Sequence, residues 1–488
     1  MMNFATLFTT VTETPATQEH FITDGKLTCQ YAEVPHFLEK IDAFLSAHEV
    51  YPQHCIAVEC NNSVPSALLL IYLLSKRIGF MLLPPTDNSD KGASLKPIPQ
   101  FCHIRLKVAT PPLTPGALPT LDLLESFYHV EARDTPTRAN QIATEGLLFT
   151  RTSGSMGEAK IVVQKQEKVL SSAFNCIKKY NFTAEDRMTI PVPIFHMYGF
   201  GAEFLPALIL GCCIDLQENS NLLKYLDRER RFSPTVAFIT PNLCEMLLRG
   251  WKTPKPYKVI VTSGQRIRED LFAALDALCG NHLVNQYGST EMGPISACAP
   301  NDDFAKRIST IGSPMADVNL RIEHNGDHES GDLYCQHPYG FEGYMDEAGN
   351  WLVQAQDWHR TGDAAKKNDN GEIIVTGRAD NSINRSGFLI LLADIEKALE
   401  TFDSVTQAVV VPINSTNIQG QTLVAFCVKA VNTSSTETEL RSASSKILPK
   451  YGVPDVFLMV DNLPLLPSGK PDQQALKKQA EAALSLSS

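Results

Sequence analysis

The spacing of apolar residues predicts strands that alternate with helices through the first three quarters of the chain. Short apolar runs indicate strands, and longer runs bounded by turn residues indicate helices. Two strand–helix–strand units are residues 56–60, 64–74 and 79–83, and residues 257–262, 268–279 and 282–286. Because such units cross over with one handedness and leave their strands parallel, the pattern predicts an α/β fold with a parallel sheet.

Two polar loops follow the strands of the second unit. The sequence Ser-Gly-Gln occupies residues 263–265, and Tyr-Gly-Ser occupies residues 287–289. Open α/β sheets bind their ligands at the carboxyl ends of the strands. We therefore expect these two loops to meet at one ligand site.

The pattern changes after residue 378, where short strands mix with two helices. The strands are predicted at residues 407–413, 422–430 and 456–460, and the helices at residues 392–402 and 437–448. This mixture predicts a small α+β domain of about 110 residues. We expect a large N-terminal domain of sheets and helices at residues 1–379 and the small domain at residues 380–488.

Composition and charge narrow the classes of partner. The 488 residues are 43% hydrophobic and 20% charged, as in ordinary globular chains, and carry a formal net charge of -11. This acidity argues against a nucleic-acid or anionic-membrane partner, because both attract basic surfaces. The 12 cysteines lack zinc-ligand spacing, and the most apolar run, residues 67–74, is too short to cross a bilayer. We expect a cytoplasmic protein without membrane insertion; the composition leaves its oligomeric state open.

A loop rich in Gly, Ser and Thr lies between two further predicted strands, residues 147–150 and 161–163. Its candidate phosphate-binding residues are Thr152, Ser153, Gly154, Ser155, Gly157 and Lys160. Glycines let successive backbone N–H groups turn toward an anion, hydroxyls add donors, and the lysine adds positive charge. Because β-branched residues follow Lys160, this is not the nucleotide loop that opens a helix with Gly-Lys-Ser/Thr. Phosphate binding is the prediction, and an ordinary polar hairpin loop is the alternative.

The loop at residues 287–291 carries three candidate side chains. The Glu291 carboxylate can hold Mg²⁺ against phosphate oxygens, the Thr290 hydroxyl can donate to a phosphate, and Tyr287 can stack on a base. The alternative is a helix N-cap, in which Ser289 or Thr290 begins a helix with Glu291 in its first turn.

Asp363 lies in the sequence Arg-Thr-Gly-Asp at residues 360–363, and Arg378 follows a predicted strand. A carboxylate can accept hydrogen bonds from two ribose hydroxyls at once, and an arginine can meet ribose or phosphate. A turn aspartate and a surface ion pair are the alternatives for these two residues.

Lys470 stands at the tip of a Pro/Gly turn near the C-terminus, and His196 lies in an apolar stretch. An ammonium at such a tip can neutralise charge that builds between an attacking carboxylate and a phosphate. The alternatives are a solvated turn lysine and a packed, hydrogen-bonded histidine.

Six segments, in this order along the chain, resemble the motifs of the adenylate-forming superfamily, which includes acyl-CoA and aryl-CoA ligases, adenylation domains of peptide synthetases, and luciferases. The segments are residues 152–160, 193–199, 287–291, 360–363, 377–380 with the stretch after it, and 464–476. Their order over about three hundred residues makes the resemblance specific, since each short motif alone has a high false-positive rate.

The resemblance implies a large multi-layer N-terminal domain with a mobile α+β C-terminal cap and two half-reactions. A carboxylate attacks the α-phosphate of ATP with Mg²⁺, giving acyl-AMP and pyrophosphate. The cap then turns about Asp380 and removes Lys470, and the thiol of CoA or of a carrier-protein phosphopantetheine takes the acyl group. Because only a short stretch follows Leu476, we expect any carrier protein to act in trans.

The resemblance also distributes roles over the candidate residues. Catalysis falls to Lys470, Thr290 and His196, the metal to Glu291, and the hinge to Asp380. Nucleotide binding falls to Thr152, Ser153, Gly154, Ser155, Gly157, Lys160, Ser263, Gly264, Gln265, Tyr287, Gly288, Asp363 and Arg378. The acyl pocket falls to His196, Met197, Tyr198, Gly199 and Gln286.

Several positions depart from the superfamily pattern. Met156 and Ala159 replace a threonine and a proline, Asn384 stands where many relatives have lysine, and Gln473-Gln474 replace a charged pair. None of these changes removes the lysines or carboxylates that carry the predicted chemistry.

Position 197 bears on the class of acid. Amino-acid-activating relatives usually have an aspartate there, which pairs with the substrate's ammonium, whereas this chain has Met197. A buried α-amino group would lack its partner, at a cost in free energy. We therefore expect a fatty, aryl or similar small acid without an α-amino group. A stand-alone amino-acid-adenylating enzyme and a nucleotide-binding pseudoenzyme are the alternatives.

Overall fold

The computed structural model describes most of the chain. The described residues are 4–86, 98–110, 119–132, 143–151, 160–218, 221–324, 330–379, 382–385, 388–414, 421–430, 436–448, 452–466 and 469–486. They form two compact units. The larger unit takes the described residues up to Asn319 together with Gln336–His359, and the smaller unit takes Leu320–Cys335 and the described residues from Arg360 onward.

The helices are short and mostly lie in the larger unit. In chain order they are α1 (Phe4–Glu13), α2 (Pro15–Gln18), α3 (Val34–Ala47), α4 (Val64–Ser75), α5 (Gln166–Tyr180), α6 (Met197–Gly199), α7 (Leu205–Leu210), α8 (Leu222–Phe232), α9 (Pro241–Gly250), α10 (Glu269–Leu278), α11 (Phe304–Ser309), α12 (Leu392–Leu399), α13 (Glu437–Ile447) and α14 (Gln473–Leu486). Two 3₁₀ turns, Tyr31–Glu33 and Leu121–Phe127, and a π-helical stretch, Phe200–Phe204, complete the helical elements of the described residues.

The strands supply most of the architecture. In chain order they are β1 (Phe21–Thr23), β2 (Thr28–Gln30), β3 (Ile56–Glu59), β4 (Phe80–Leu83), β5 (Ile104–Val108), β6 (Tyr128–Ala132), β7 (Leu147–Arg151), β8 (Ile161–Lys165), β9 (Arg187–Ile190), β10 (Cys213–Leu216), β11 (Val236–Ile239), β12 (Val259–Thr262), β13 (Leu283–Ser289), β14 (Gly293–Ala297), β15 (Ser313–Pro314), β16 (Asn319–Glu323), β17 (Gly331–Gln336), β18 (Gly343–Met345), β19 (Trp351–Gln354), β20 (His359–Lys367), β21 (Ile373–Arg378), β22 (Ser382–Arg385), β23 (Phe388–Leu391), β24 (Val405–Asn414), β25 (Gln421–Lys429) and β26 (Val456–Val460).

The larger unit contains two large sheets. Among the described strands, the first sheet has the order β15-β14-β13-β12-β11-β9-β10-β1-β2, and the second has the order β19-β18-β8-β7-β4-β3-β5-β6. Central strands such as β3 and β4 are parallel and apolar at nearly every position. Both faces of these strands are buried, which is the environment that continuous apolar runs favour.

The helix α4 shows how a short segment of sequence produces its element. The Ser63 side chain caps it by accepting from the Ser66 backbone N–H, and Pro65 occupies the first turn, where no backbone donor is needed. Its residues Val64–Leu74 are buried on all sides. The helix is therefore stabilised by burial all round rather than by one amphipathic face.

The smaller unit combines small sheets with short helices. Its described strands form a four-stranded sheet, β16-β17-β20-β21, a pair, β22-β23, and a three-stranded sheet, β24-β25-β26. Helices α12 and α13 pack on the last sheet through a core that includes Ile395, Leu399, Leu423, Leu440 and Phe457.

The predicted α/β class, with a large N-terminal region and an α+β C-terminal region, is confirmed. β12 and β13 pair in parallel with α10 between them, as the periodicity predicts. The predicted boundary at residues 379 and 380 stays a prediction. None of the described helices is long and apolar enough to span a membrane.

Candidate active site

A tight hairpin between β13 and β14 carries Glu291. β13 pairs in parallel with β12 as far as Asn285 and then continues antiparallel to β14 from Gln286 to Ser289. The residues Tyr287-Gly288-Ser289 therefore end the strand, whereas the sequence pattern placed them after it, because pairing with β14 extends β13 beyond the edge of β12. Gly288 is required here, since a Cβ at this position would lie 2.4 Å from the Gly293 carbonyl oxygen.

Thr290 and Glu291 form the hairpin turn. The Ser289 hydroxyl accepts from the Met292 backbone N–H at 3.1 Å, and the turn leads directly into β14. The alternative of a helix N-cap at Ser289 or Thr290 is therefore wrong. The Gln164 side chain stabilises the turn by donating to the Thr290 carbonyl at 3.2 Å.

A tyrosine brings the lysine of the predicted phosphate loop and the carboxylate of this turn to one place. The Tyr344 hydroxyl donates to Glu291 Oε1 at 2.8 Å, and Lys160 Nζ lies 5.3 Å from the centroid of the Tyr344 ring. β18 pairs with β8 so that Tyr344 is opposite Val162, two residues beyond Lys160. We call Lys160, Glu291 and Tyr344 the Tyr344 cluster.

His359 lies near the Tyr344 cluster. Burial lowers the pKa of His359, and the Glu291 carboxylate opposes part of this shift. Burial therefore disfavours the imidazolium form of His359. A cation and a carboxylate with one fixed oxygen suit a phosphate and its metal ion.

The donor set of the cluster fits Mg²⁺ only together with a bound phosphate. Glu291 offers a carboxylate, the kind of oxygen ligand that Mg²⁺ prefers. Within the described part of the chain, no three His, Cys, Asp or Glu side chains form a group that could hold a metal ion. A magnesium ion at Glu291 would therefore take its remaining ligands from phosphate oxygens and water.

The Ser-Gly-Gln loop follows β12 directly, as predicted. The Ser263 backbone N–H donates to the Ile239 carbonyl at 3.3 Å and the Ser263 side chain is buried. Gly264 has a positive φ of 89° and is exposed, which glycine tolerates without strain. Gln265 is half-buried.

The predicted acyl-pocket segment leads into α6 and is fixed from both sides. Asn62 accepts from the Ile194 backbone N–H at 2.9 Å and donates to the Val192 carbonyl at 2.8 Å. The Tyr198 hydroxyl reaches the carbonyls of Ile239 and Val261 at 3.1 and 3.0 Å.

Three further residues of this predicted pocket are packed against their neighbours. Gly199 leaves no room for a side chain, because a Cβ there would lie 2.4 Å from the Pro193 carbonyl oxygen. Gln286 is buried, and its Oε1 accepts from the Tyr180 hydroxyl at 2.9 Å. His196 precedes α6, is half-buried and packs with its ring centroid 4.6 Å from that of Phe195.

A small cavity adjoins this segment at Met197. Its wall includes Gln164 from β8, Ser172 from α5, and Gly293 and Pro294 from the start of β14. We call it the Gln164–Ser172 cavity. It has room for about one water molecule.

In the smaller unit, two predicted nucleotide residues are direct neighbours. Asp363 on β20 is the register partner of Arg378 on β21. The Asp363 backbone N–H donates to the Thr361 hydroxyl at 3.1 Å, and this hydroxyl donates to the Leu333 carbonyl at 2.9 Å. Asp363 is thus in a strand, so the alternative of a simple turn aspartate is wrong.

Lys470 ends a tight turn in the same unit. The Leu466 backbone N–H donates to the Lys470 carbonyl at 2.8 Å, and Leu465 and Pro471 form an isolated antiparallel bridge. The Lys470 side chain is exposed.

Several predicted site residues lie outside the described residues. They are Thr152, Ser153, Gly154, Ser155 and Gly157 of the phosphate loop, and Asp380 of the hinge. For Arg378 the structure describes the backbone, which pairs with that of Asp363.

Sequence reasoning missed Tyr344, His359 and the polar residues of the cavity. Tyr344 is one side chain of a three-residue strand, and only the pairing of β18 with β8 brings it to Lys160. Gln164 and Ser172 lie in a strand and a helix whose patterns are those of ordinary core elements. The one signal in the sequence was a polar residue at a position where the strand or helix pattern predicts a buried, apolar side chain.

Two family profiles match the chain. The profile described as AMP-binding enzyme matches residues 103–345, and the profile described as AMP-binding enzyme C-terminal domain matches residues 394–470. Together they include the Tyr344 cluster in the first match and Lys470 in the second.

Curated relatives and solved structures agree with these matches. A 4-coumarate–CoA ligase from Oryza sativa subsp. japonica is 24% identical over 68% of this chain, which spans 64% of that ligase. An indoleacetate–CoA ligase from Aromatoleum aromaticum is 24% identical over 90% of this chain and 91% of its own length. The o-succinylbenzoate coenzyme A synthetase of Bacillus subtilis, solved with AMP, superposes with a TM-score of 0.78 and 21% identity over 98% of each chain, and so shares the fold.

Proposed function

The chain belongs to the adenylate-forming superfamily, and from this premise we propose that it activates a small carboxylic acid with ATP. In the first step a carboxylate oxygen bonds to the α-phosphorus, the bond to the β-phosphate oxygen breaks, and pyrophosphate leaves. In the second step a thiolate bonds to the acyl carbon of the acyl-AMP and AMP leaves. The product is an acyl thioester of CoA or of a carrier-protein phosphopantetheine.

The observation that carries this proposal is the Tyr344 cluster. Lys160 and Glu291 come from sequence segments more than a hundred residues apart, and Tyr344 contacts both side chains. A phosphate chain needs a cation, and its metal ion needs a carboxylate. Positioning and charge neutralisation are the main sources of catalysis in phosphoryl transfer, and such a pair supplies both.

The roles follow from the chemistry of each group. Lys160 would neutralise phosphate charge, and Glu291 would hold Mg²⁺, which supplies Lewis-acid polarisation of the phosphate oxygens when bound. Thr290 would donate to the α-phosphate. In the smaller unit Asp363, with Arg378 in register, would accept from the ribose hydroxyls.

Lys470 would act on the first step only. Its ammonium would offset the negative charge that grows as the carboxylate attacks the α-phosphate. The thioester step does not need it, so we propose that the region from residue 380 onward turns about Asp380 between the two steps.

We propose an aryl, fatty or similar acid without an α-amino group as substrate. The buried, uncharged Met197 offers no partner to an ammonium. The aryl acids in the names of the rice and Aromatoleum ligases support an aryl acid among these classes.

The test is ATP–pyrophosphate exchange across a panel of aryl, alkyl and amino acids, followed by thioester formation with CoA and with phosphopantetheinylated carrier proteins. Exchange driven by acids that lack an α-amino group is the expected result. Exchange driven by α-amino acids alone would support the amino-acid-adenylating alternative. ATP binding without exchange for any acid would support the pseudoenzyme alternative.

A further inference from the structure

The Gln164–Ser172 cavity contains two polar atoms that lack a partner. Gln164 is 2% exposed and Ser172 is 4% exposed. Within the described part of the chain, neither Gln164 Oε1 nor Ser172 Oγ has a hydrogen-bond partner. An unsatisfied buried polar atom costs about 1–3 kcal/mol, so two at one cavity indicate that something absent from the protein chain satisfies them.

The orientation of the Gln164 amide is fixed by its other contact. Gln164 Nε2 donates to the Thr290 carbonyl at 3.2 Å, which only the nitrogen can do. The oxygen is therefore the part of this lining side chain that is left as an acceptor. Ser172 adds a hydroxyl that can donate or accept, so the pair requires a group that has a hydrogen to donate.

The lining also restricts the charge of that group. None of the described residues that line the cavity is charged. Besides Gln164 and Ser172, they include Met197, Gly293 and Pro294. A second carboxylate or an ammonium would be buried there without a counter-charge, at a large cost in free energy. A neutral hydroxyl can instead donate to Gln164 and exchange a hydrogen bond with Ser172.

The cavity adjoins the predicted acyl pocket through Met197 and the hairpin turn through Gln164. Resting on the proposed function, we propose that the cavity receives a hydroxyl group of the acid, so that the substrate is a hydroxylated carboxylic acid. The room for about one water molecule suits one hydroxyl and no larger polar group. Ser172 is then a specificity-determining residue.

The experiment measures kcat/KM for pyrophosphate release with matched acids that differ by one hydroxyl. The pairs are 4-hydroxybenzoate and benzoate, 4-hydroxycinnamate and cinnamate, and 6-hydroxyhexanoate and hexanoate. We expect the wild-type protein to prefer the hydroxylated acid in at least one pair by about tenfold or more, because the unhydroxylated acid leaves two buried acceptors unpaired.

Ser172→Ala should remove most of this preference by lowering kcat/KM about tenfold for the hydroxylated acid alone. Ser172→Val should fill the cavity and should also lower kcat/KM for the hydroxylated acid. The matched control is Ser171→Ala on the same helix, whose hydroxyl donates to the Glu167 carbonyl at 2.9 Å and should leave the preference unchanged.

The outcomes separate this inference from the proposed function. Pyrophosphate release without preference in any pair, or an equal loss for both acids in Ser172→Ala, would show that the cavity holds an ordered water or is only packing, and would overturn the inference. No turnover with any acid would overturn the proposed function and the inference with it.

Discussion

The Tyr344 cluster and the Gln164–Ser172 cavity both adjoin the hairpin between β13 and β14 and differ in charge and burial. In the cluster, Lys160 is exposed and Glu291 is half-buried. In the cavity, Gln164 and Ser172 are buried and neutral. A charged, accessible cluster suits a ligand that every member of a superfamily shares, whereas a buried, neutral polar cavity suits discrimination between similar ligands.

The largest expected effect comes from removing the carboxylate of the cluster. Glu291→Gln should lower kcat for ATP–pyrophosphate exchange about 10²–10³-fold, because a neutral amide cannot compensate the charge of a magnesium ion. The control is Glu347→Gln in the loop after β18, whose carboxylate is exposed and pairs with Arg151 at 2.8 Å. Equal losses in the two variants would remove the distinction between the cluster and the surface around it.

A second prediction concerns the smaller unit. Lys470→Ala should lower acyl-AMP formation about 10²-fold while the Kd for ATP changes less than about threefold, because the role proposed for its ammonium is to offset charge that develops during attack. Lys477→Ala, an exposed lysine of α14, is the control. Survival of full adenylation in Lys470→Ala would show that the cluster of the larger unit is sufficient.

A third prediction concerns the pH dependence of stability at His337, which contacts Pro294 and Tyr339 in the wall of the cavity. His337 accepts from the Tyr339 backbone N–H at Nδ1 and lies 3.1 Å from the Pro294 carbonyl at Nε2, and burial lowers its pKa to about 4. Protonation would put a hydrogen where Nδ1 accepts one. Because the unfolded chain binds this proton below pH 6.5 and the folded chain only below about pH 4, stability should fall as the pH drops through this window.

This loss should reach about 3 kcal/mol below pH 4. His337→Gln should flatten that part of the pH dependence in urea unfolding followed from pH 7 to pH 4.5. His36→Gln, at an exposed histidine of α3, should leave the pH dependence as in the wild type. If the free energy of unfolding depends on pH equally in His337→Gln and in the wild type, His337 is not the cause of this dependence.

The smallest expected effect comes from the hydroxyl that orients Glu291. Tyr344→Phe keeps the ring beside Lys160 but loses the 2.8 Å hydrogen bond, and should lower kcat/KM about tenfold. Its signature is a higher magnesium concentration at half-maximal exchange, which a purely structural role would leave unchanged. Tyr334→Phe on β17 is the matched control, since that ring packs against Arg321 in the smaller unit.

Much of the fold could be predicted because its information is local. The apolar runs that become β3, β4, β12 and the strands of the smaller unit are continuous in sequence, and their boundaries agree within a few residues. The extension of β13 to Ser289 could not be predicted, because it depends on pairing with β14.

The candidate site also contains residues that local sequence predicts and residues that it does not. Lys160, Glu291 and Asp363 stand in short motifs that sequence reasoning can recognise. Tyr344 contacts Glu291 across more than fifty residues of chain, and this contact exists only once β18 pairs with β8. Ser172 shows no sign of a role until its neighbours Gly293 and Pro294 are in place.

The double attachment of the Tyr198 hydroxyl to the carbonyls of Ile239 and Val261 has a consequence for engineering. The single hydroxyl hydrogen is shared between two adjacent strands, so moving the ring aside for a bulkier acid would cost this hydrogen bond, and a side chain at Gly199 would meet the Pro193 carbonyl oxygen. New substrate scope should therefore be sought through Met197, whose flexible side chain has no such tether. A saturation library at that codon is the shortest route to altered selectivity.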